Sequence, residues 1–156
     1  MDAMLMNAFG QAGAYAAVAF AAIGSGLGVG AACTAAVGAW KKCYAGNRTA
    51  PLQLAIFAGA PLTQTIYGMI LMFLINGKLK DAAMVGYWPL FLMIGVGGGI
   101  AMGISAWKQG VAGAGACDAF AETGKGFTNY LMALGIVETV AIFSMAFAII
   151  LIGLIK

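Results

Sequence analysis

Charged residues occur in only a few places along this chain, and the intervals between them are apolar. After Asp2 no charge occurs until Lys41, and uncharged runs extend from Thr49 to Gly77 and from Ala82 to Trp107. A fourth apolar run follows Gly126 and contains one acid, Glu138. Each run exceeds the roughly 20 residues needed to cross the hydrocarbon core of a bilayer. None alternates polar with apolar residues, and backbone groups in lipid must be satisfied within their own segment, so the runs predict helices rather than strands. The expected spans are residues 8–39, 51–75, 88–116 and 127–152. The fold class is an all-α membrane protein of four transmembrane helices, with connections too short to hold a soluble domain.

Composition agrees: 63% of the residues are hydrophobic, 8% are charged, and 24 are glycine. That balance is far from a water-soluble domain. The net charge of +3 is scattered over short loops, which gives no basic face for nucleic acid. Asp2 precedes the first span with no Lys or Arg beside it. A signal peptide needs a basic n-region, so span 1 is expected to remain in the mature protein. Cys33, Cys43 and Cys117 form no C-x-x-C pair and are odd in number, so they are expected to pack rather than to bridge or bind zinc. No glycine set matches G-x-G-x-x-G. The pair Gly124-Lys125 resembles the end of a phosphate loop, but Gly126 stands where Ser or Thr is needed and Ala119 where the leading Gly is needed, so no nucleotide binding is expected.

Basic residues lie at both ends of the spans. Lys41, Lys42 and Arg48 between spans 1 and 2, with Lys125 between spans 3 and 4, face Lys78, Lys80 and Lys156 on the other side. The small excess places the two hairpin loops in the cytoplasm and both termini outside.

The two halves superpose at a constant offset that sets Gly24 on Gly98, Val37 on Val111, Cys43 on Cys117, Thr65 on Thr139 and Phe73 on Phe147. This divides the chain into hairpin repeats at residues 1–76 and 77–156. Each repeat has a glycine-rich first helix and a bulkier second one. Small residues let helix backbones approach in lipid, where tails offer no hydrophobic contrast. Spans 1 and 3 are therefore expected to form an inner layer, with spans 2 and 4 outside against lipid. Two parallel repeats suit assembly into a ring.

Glu138 lies about halfway along span 4. A charge at that depth costs about 2.5–3.5 kcal/mol on insertion scales, so such a residue is paired, protonated or functional. The repeat sets Gln64 opposite it, leaving one acid per pair of hairpins. Thr63 and Tyr67 stand on neighbouring parts of the same helical surface as Gln64, and Pro61 predicts a kink that frees carbonyls near Phe57 to Ala60. Span 3 adds the amide of Gln109. A single carboxylate among neutral oxygens suits a hard cation such as sodium; a proton needs fewer partners. Lys108 could reach Glu138, but a permanent ion pair would prevent reversible loading, so it is expected to extend toward the cytoplasmic end.

The segment Pro61-Leu62-Thr63-Gln64-Thr65-Ile66-Tyr67-Gly68, the intramembrane Glu138 in a Val-Glu-Thr setting, the glycine-rich spans and the duplication resemble the V-type ATPase proteolipid, the K or c subunit. The likeness covers nearly the whole chain and is strongest to the sodium-translocating bacterial members. It implies a non-catalytic subunit of a homo-oligomeric ring in a bacterial plasma membrane, carrying Na+ or, alternatively, only H+. It implies ion ligation by Glu138, Gln64, Thr63, Gln109 and the carbonyl of Ala60, with Tyr67 locking the carboxylate. Its implied partners are a stator membrane subunit with a basic residue and the central-stalk subunits. A small proton-coupled exporter and a purely structural four-helix protein are the rival readings.

Overall fold

A computed structural model describes residues 1–155. Its helices are α1 (Ala3–Ala45), α2 (Leu54–Gly59), α3 (Thr63–Lys78), α4 (Trp88–Thr123) and α5 (Phe127–Leu154). Three-residue and six-residue 3-10 turns, Ala60–Leu62 and Ala82–Tyr87, precede α3 and α4. No strand occurs among the described residues. The expected spans 1 and 4 correspond to α1 and α5, span 3 to α4, and span 2 to α2 and α3 with the turn between them. All four are long and apolar enough to cross a membrane.

Span 2 starts three residues later than expected, at Leu54, and α4 starts as expected at Trp88, but the other ends, apart from the start of α5, overrun. At 1.5 Å per residue, the 43 residues of α1 extend about 65 Å, beyond a hydrocarbon core about 30 Å thick. Hydropathy marks the buried middle of such a helix, while capping decides where it stops. Asp2 caps α1 by accepting the Leu5 N–H at 2.8 Å, and α4 ends at Gly124, whose φ of 64° lies in the left-handed region that glycine enters without steric cost.

Two helices form the packed layer. α1 and α4 run side by side, and their glycines meet backbone to backbone: a Cβ added to Gly24 would overlap Gly103, and one added to Gly110 would overlap Gly28. α3 packs against both α1 and α4, whereas α5 packs against α4 and α3. α5 is held loosely, with Leu134, Ala141, Ala148 and Ile152 as its buried residues. The bulky faces of α3 and α5, including Ile66, Phe73, Phe143 and Phe147, are exposed.

Both hairpin loops lie at one end of the bundle. Arg48 donates to the carbonyl of Ala121 at 3.2 Å, Trp40 donates to that of Pro51 at 2.8 Å, and the exposed pair Lys42–Asp118 joins α1 to α4 at 3.0 Å. At the other end Lys78 donates to the carbonyl of Ile155 at 3.1 Å. Lys156, counted at that end in the charge balance, lies outside the described residues. Cys43 and Cys117 are buried as packing residues, but Cys33 is exposed. That corrects the expectation for Cys33, which sits on a face of α1 that no other helix of the chain covers.

Candidate functional site

The break between α2 and α3 follows from Pro61. Proline has no N–H to give the carbonyl four residues back, so the Phe57 carbonyl loses its helical partner. That oxygen lies against Gly113 of α4, where an added Cβ would stand 2.7 Å from it. The chain tightens into the 3-10 turn at Ala60–Leu62, and the Ala60 carbonyl then accepts both the N–H of Thr63 and its hydroxyl, the latter at 3.0 Å. Where a kink was expected near Phe57 to Ala60, the helix is interrupted by the 3-10 turn at Ala60–Leu62.

From this turn a chain of polar contacts runs across the bundle. The Thr63 hydroxyl lies 3.2 Å from Gln64 Oε1. Gln64 Nε2 donates to Gln109 Oε1 at 2.8 Å, and both amides are fully buried. Gln109 Nε2 donates onward to Glu138 Oε2 at 3.2 Å and to the Leu134 carbonyl at 3.1 Å. The other carboxylate oxygen, Glu138 Oε1, accepts from the Tyr67 hydroxyl at 2.6 Å. Each of the six residues singled out from the sequence, Ala60, Thr63, Gln64, Tyr67, Gln109 and Glu138, therefore belongs to one connected cluster.

Glu138 is half-buried because of its register. Leu134, Ala141, Ala148 and Ile152 of α5 are buried, and Glu138 with Met145 fills the remaining places of an alternating four-three spacing. One stripe of α5 thus faces the other helices, and the acid lies within that stripe. Lys108 lies elsewhere: its Nζ is 5.1 Å from the centre of the Trp107 ring, and the ion pair found among the described residues is Lys42–Asp118, not Lys108–Glu138.

The sequence reading missed Ser105. Its side chain is 3% exposed, and its hydroxyl donates to the Val137 carbonyl at 2.9 Å. The available signal was its position four residues before Gln109, one turn away on the same helical face.

The family model of the ATP synthase C subunits matches residues 92–151. The A-type ATP synthase subunit K of Methanocaldococcus jannaschii is 34% identical over 142 residues, which is 91% of this chain and 60% of that relative. The chain is thus similar to subunits C and K of ATP synthases. It is a multi-pass integral membrane protein, with four helices long and apolar enough to span a membrane. The segment of the chain matched by the family model includes Ser105, Gln109 and Glu138, and leaves Ala60, Thr63, Gln64 and Tyr67 outside. The chain spans 60% of the length of the archaeal relative.

The donor set of the cluster suits a hard cation, which favours oxygen. The Ala60 carbonyl, the Thr63 hydroxyl, the Gln64 amide and the Glu138 carboxylate supply oxygens of three neutral kinds and one anionic kind. Turning either amide about its last bond exchanges nitrogen for oxygen, so Gln64 and Gln109 can donate to neighbours or present oxygen to a cation.

Proposed function

We propose that the chain is the ion-carrying rotor subunit of a V/A-type rotary ATPase, and that its cargo is Na+ bound at Glu138. The observation that carries this reading is the half-buried carboxylate of Glu138, joined through Gln109 to the oxygens of Gln64, Thr63 and Ala60. Similarity to the archaeal subunit K supports the rotor role. In this proposal several copies form a ring in a plasma membrane, with both hairpin loops toward the cytoplasm and the central-stalk subunits.

Charge neutralisation explains how such a ring turns. A carboxylate loaded with one Na+ has no net charge and can pass through lipid, whereas the empty carboxylate is charged and is held where a stator subunit offers a basic residue. Tyr67, donating to Glu138 Oε1, keeps the carboxylate turned inward while it crosses lipid. Moving a unit charge against the membrane potential requires about 2.3 kcal/mol per 100 mV. That drive is assigned to ATP hydrolysis in a separate soluble sector.

The test is the rate at which a carbodiimide modifies Glu138 in the purified ring, with and without sodium, across pH. The reagent needs a protonated and accessible carboxyl. Sodium protection that strengthens as pH rises is expected, because ion and proton compete for one group. Labelling indifferent to sodium at every pH would leave a proton-carrying rotor with the same Glu138. Glu138→Gln is expected to assemble and to abolish coupled transport; transport retained in that variant would overturn the rotor reading.

A further inference from the structure

Several threonine hydroxyls on these helices bond within their own helix. Thr34 donates to the Gly30 carbonyl at 2.8 Å, Thr123 to that of Ala119 at 2.8 Å, and Thr139 to that of Ile136 at 2.6 Å. This is the usual local satisfaction of a helical Ser or Thr. Ser105 behaves differently. It reaches across to α5 and donates to the Val137 carbonyl at 2.9 Å.

That carbonyl belongs to the peptide unit joining Val137 to Glu138. The N–H of the same unit is the Glu138 N–H, which in an α-helix bonds to the Leu134 carbonyl. Gln109 Nε2 donates to that same Leu134 oxygen at 3.1 Å. Ser105 and Gln109, one turn apart on α4, therefore fasten the peptide that carries Glu138, one at its carbonyl and one at the acceptor of its N–H. Both are buried, Ser105 at 3% and Gln109 at 0% exposure.

The anchor is itself fixed. α4 is indexed to α1 by backbone contacts on either side of Ser105, at Gly103 and Gly110. α5, by contrast, contributes four buried residues over its whole length. A small slide or rotation of α5 would move Glu138 away from Gln109 and Tyr67.

We propose that Ser105 is a positioning residue: by holding the Val137 carbonyl it sets the place of Glu138 relative to Gln109, Gln64 and Thr63, and thereby the affinity for the carried cation. The cation part rests on the reading given under Proposed function. Groups that orient a metal ligand without touching the metal commonly change affinity by about 10–100-fold when removed. Apolar contacts elsewhere on α5 hold the helix in the bundle, so loss of one hydroxyl acts on position rather than on folding.

The experiment is carbodiimide labelling of Glu138 in purified rings of the wild type, Ser105→Ala and Ser105→Thr, titrated with NaCl at fixed pH, with ring integrity followed by native mass spectrometry. The expected result is an intact Ser105→Ala ring that needs roughly tenfold more sodium for half-protection and labels faster without sodium, with Ser105→Thr closer to wild type. An intact Ser105→Ala ring with unchanged half-protection and unchanged sodium-free labelling would overturn the proposal. If Ser105→Ala forms no ring, Ser105→Cys keeps the volume with a weaker donor: weakened protection supports the role, and unchanged protection or loss of the ring overturns it. Absence of sodium protection in the wild type would refute the sodium reading alone; Ser105 is then judged by the sodium-free labelling rate, an unchanged rate in Ser105→Ala counting against it.

Discussion

Tyr67 and Glu138 show how much a single hydroxyl contributes here. The Tyr67 hydroxyl is 2.6 Å from Glu138 Oε1, and a hydrogen bond to a charged group is worth about 1.5–3 kcal/mol in proteins. Cross-helix bonds in membranes average nearer 0.6 kcal/mol. Tyr67→Phe is therefore expected to leave the fold intact and to weaken sodium protection of Glu138 by about threefold to tenfold, read as the NaCl concentration for half-protection. Gln109→Leu should be harsher. It removes the partner of the fully buried Gln64 amide, and a buried polar group left unsatisfied costs about 1–3 kcal/mol. The expected outcome is a lower melting temperature of the purified protein together with loss of sodium protection. The acid, both amides and the tyrosine were legible in the sequence because polar groups in apolar spans are few. Ser105 was not, because a serine among glycines reads as one more small packing residue until its partner on α5 is seen.

At the scale of elements, the interruption of span 2 and the glycine contact of spans 1 and 3 carry the site. Pro61→Ala restores an N–H for the Phe57 carbonyl and is expected to join α2 and α3 into one continuous helix. The carbonyl of Ala60 then turns into the helical ladder, so sodium protection should fall while thermal stability holds or rises; helical content by circular dichroism and the labelling titration check the two halves of this outcome. Gly103→Ala acts on the other element. An added Cβ there would collide with the Phe20 carbonyl, and forcing extra volume into a packed contact costs typically about 1–3 kcal/mol. A lower midpoint of thermal unfolding in detergent is expected, with no route to relief short of parting α1 from α4. Proline chemistry made the break in span 2 predictable. The overrun of α1 and α4 past the expected ends was not, because charge marks where water begins and a helix can continue into water.

For the whole molecule, the glycines divide into two sets. Gly24 and Gly103 are closed over by backbone, whereas Gly26 and Gly97 meet nothing within 4 Å. A step of two residues turns an α-helix by about 200°, so Gly26 faces away from the side of α1 that carries Gly24, and Gly97 faces away from the side of α4 that carries Gly95 and Gly99. If copies assemble as proposed, these open faces are where another copy approaches. Gly26→Leu and Gly97→Leu are each expected to leave the single chain folded and to prevent the ring from forming, as read by native mass spectrometry. An intact ring in both variants would place the contact between copies on other faces.

The sequence by itself determined four apolar helices, two of them rich enough in glycine to pack tightly, and one acid about halfway along the last span. These follow from local properties: hydropathy, residue volume, the missing N–H of proline and the cost of charge in lipid. Tertiary structure alone decided that Gln109 bridges Gln64 to Glu138, that Lys108 rests over Trp107, and that Ser105 clasps the peptide before Glu138. Each of these depends on the relative rotation and axial register of α3, α4 and α5. Helix rotation and register are set by how whole surfaces interlock, and no single stretch of sequence carries that information.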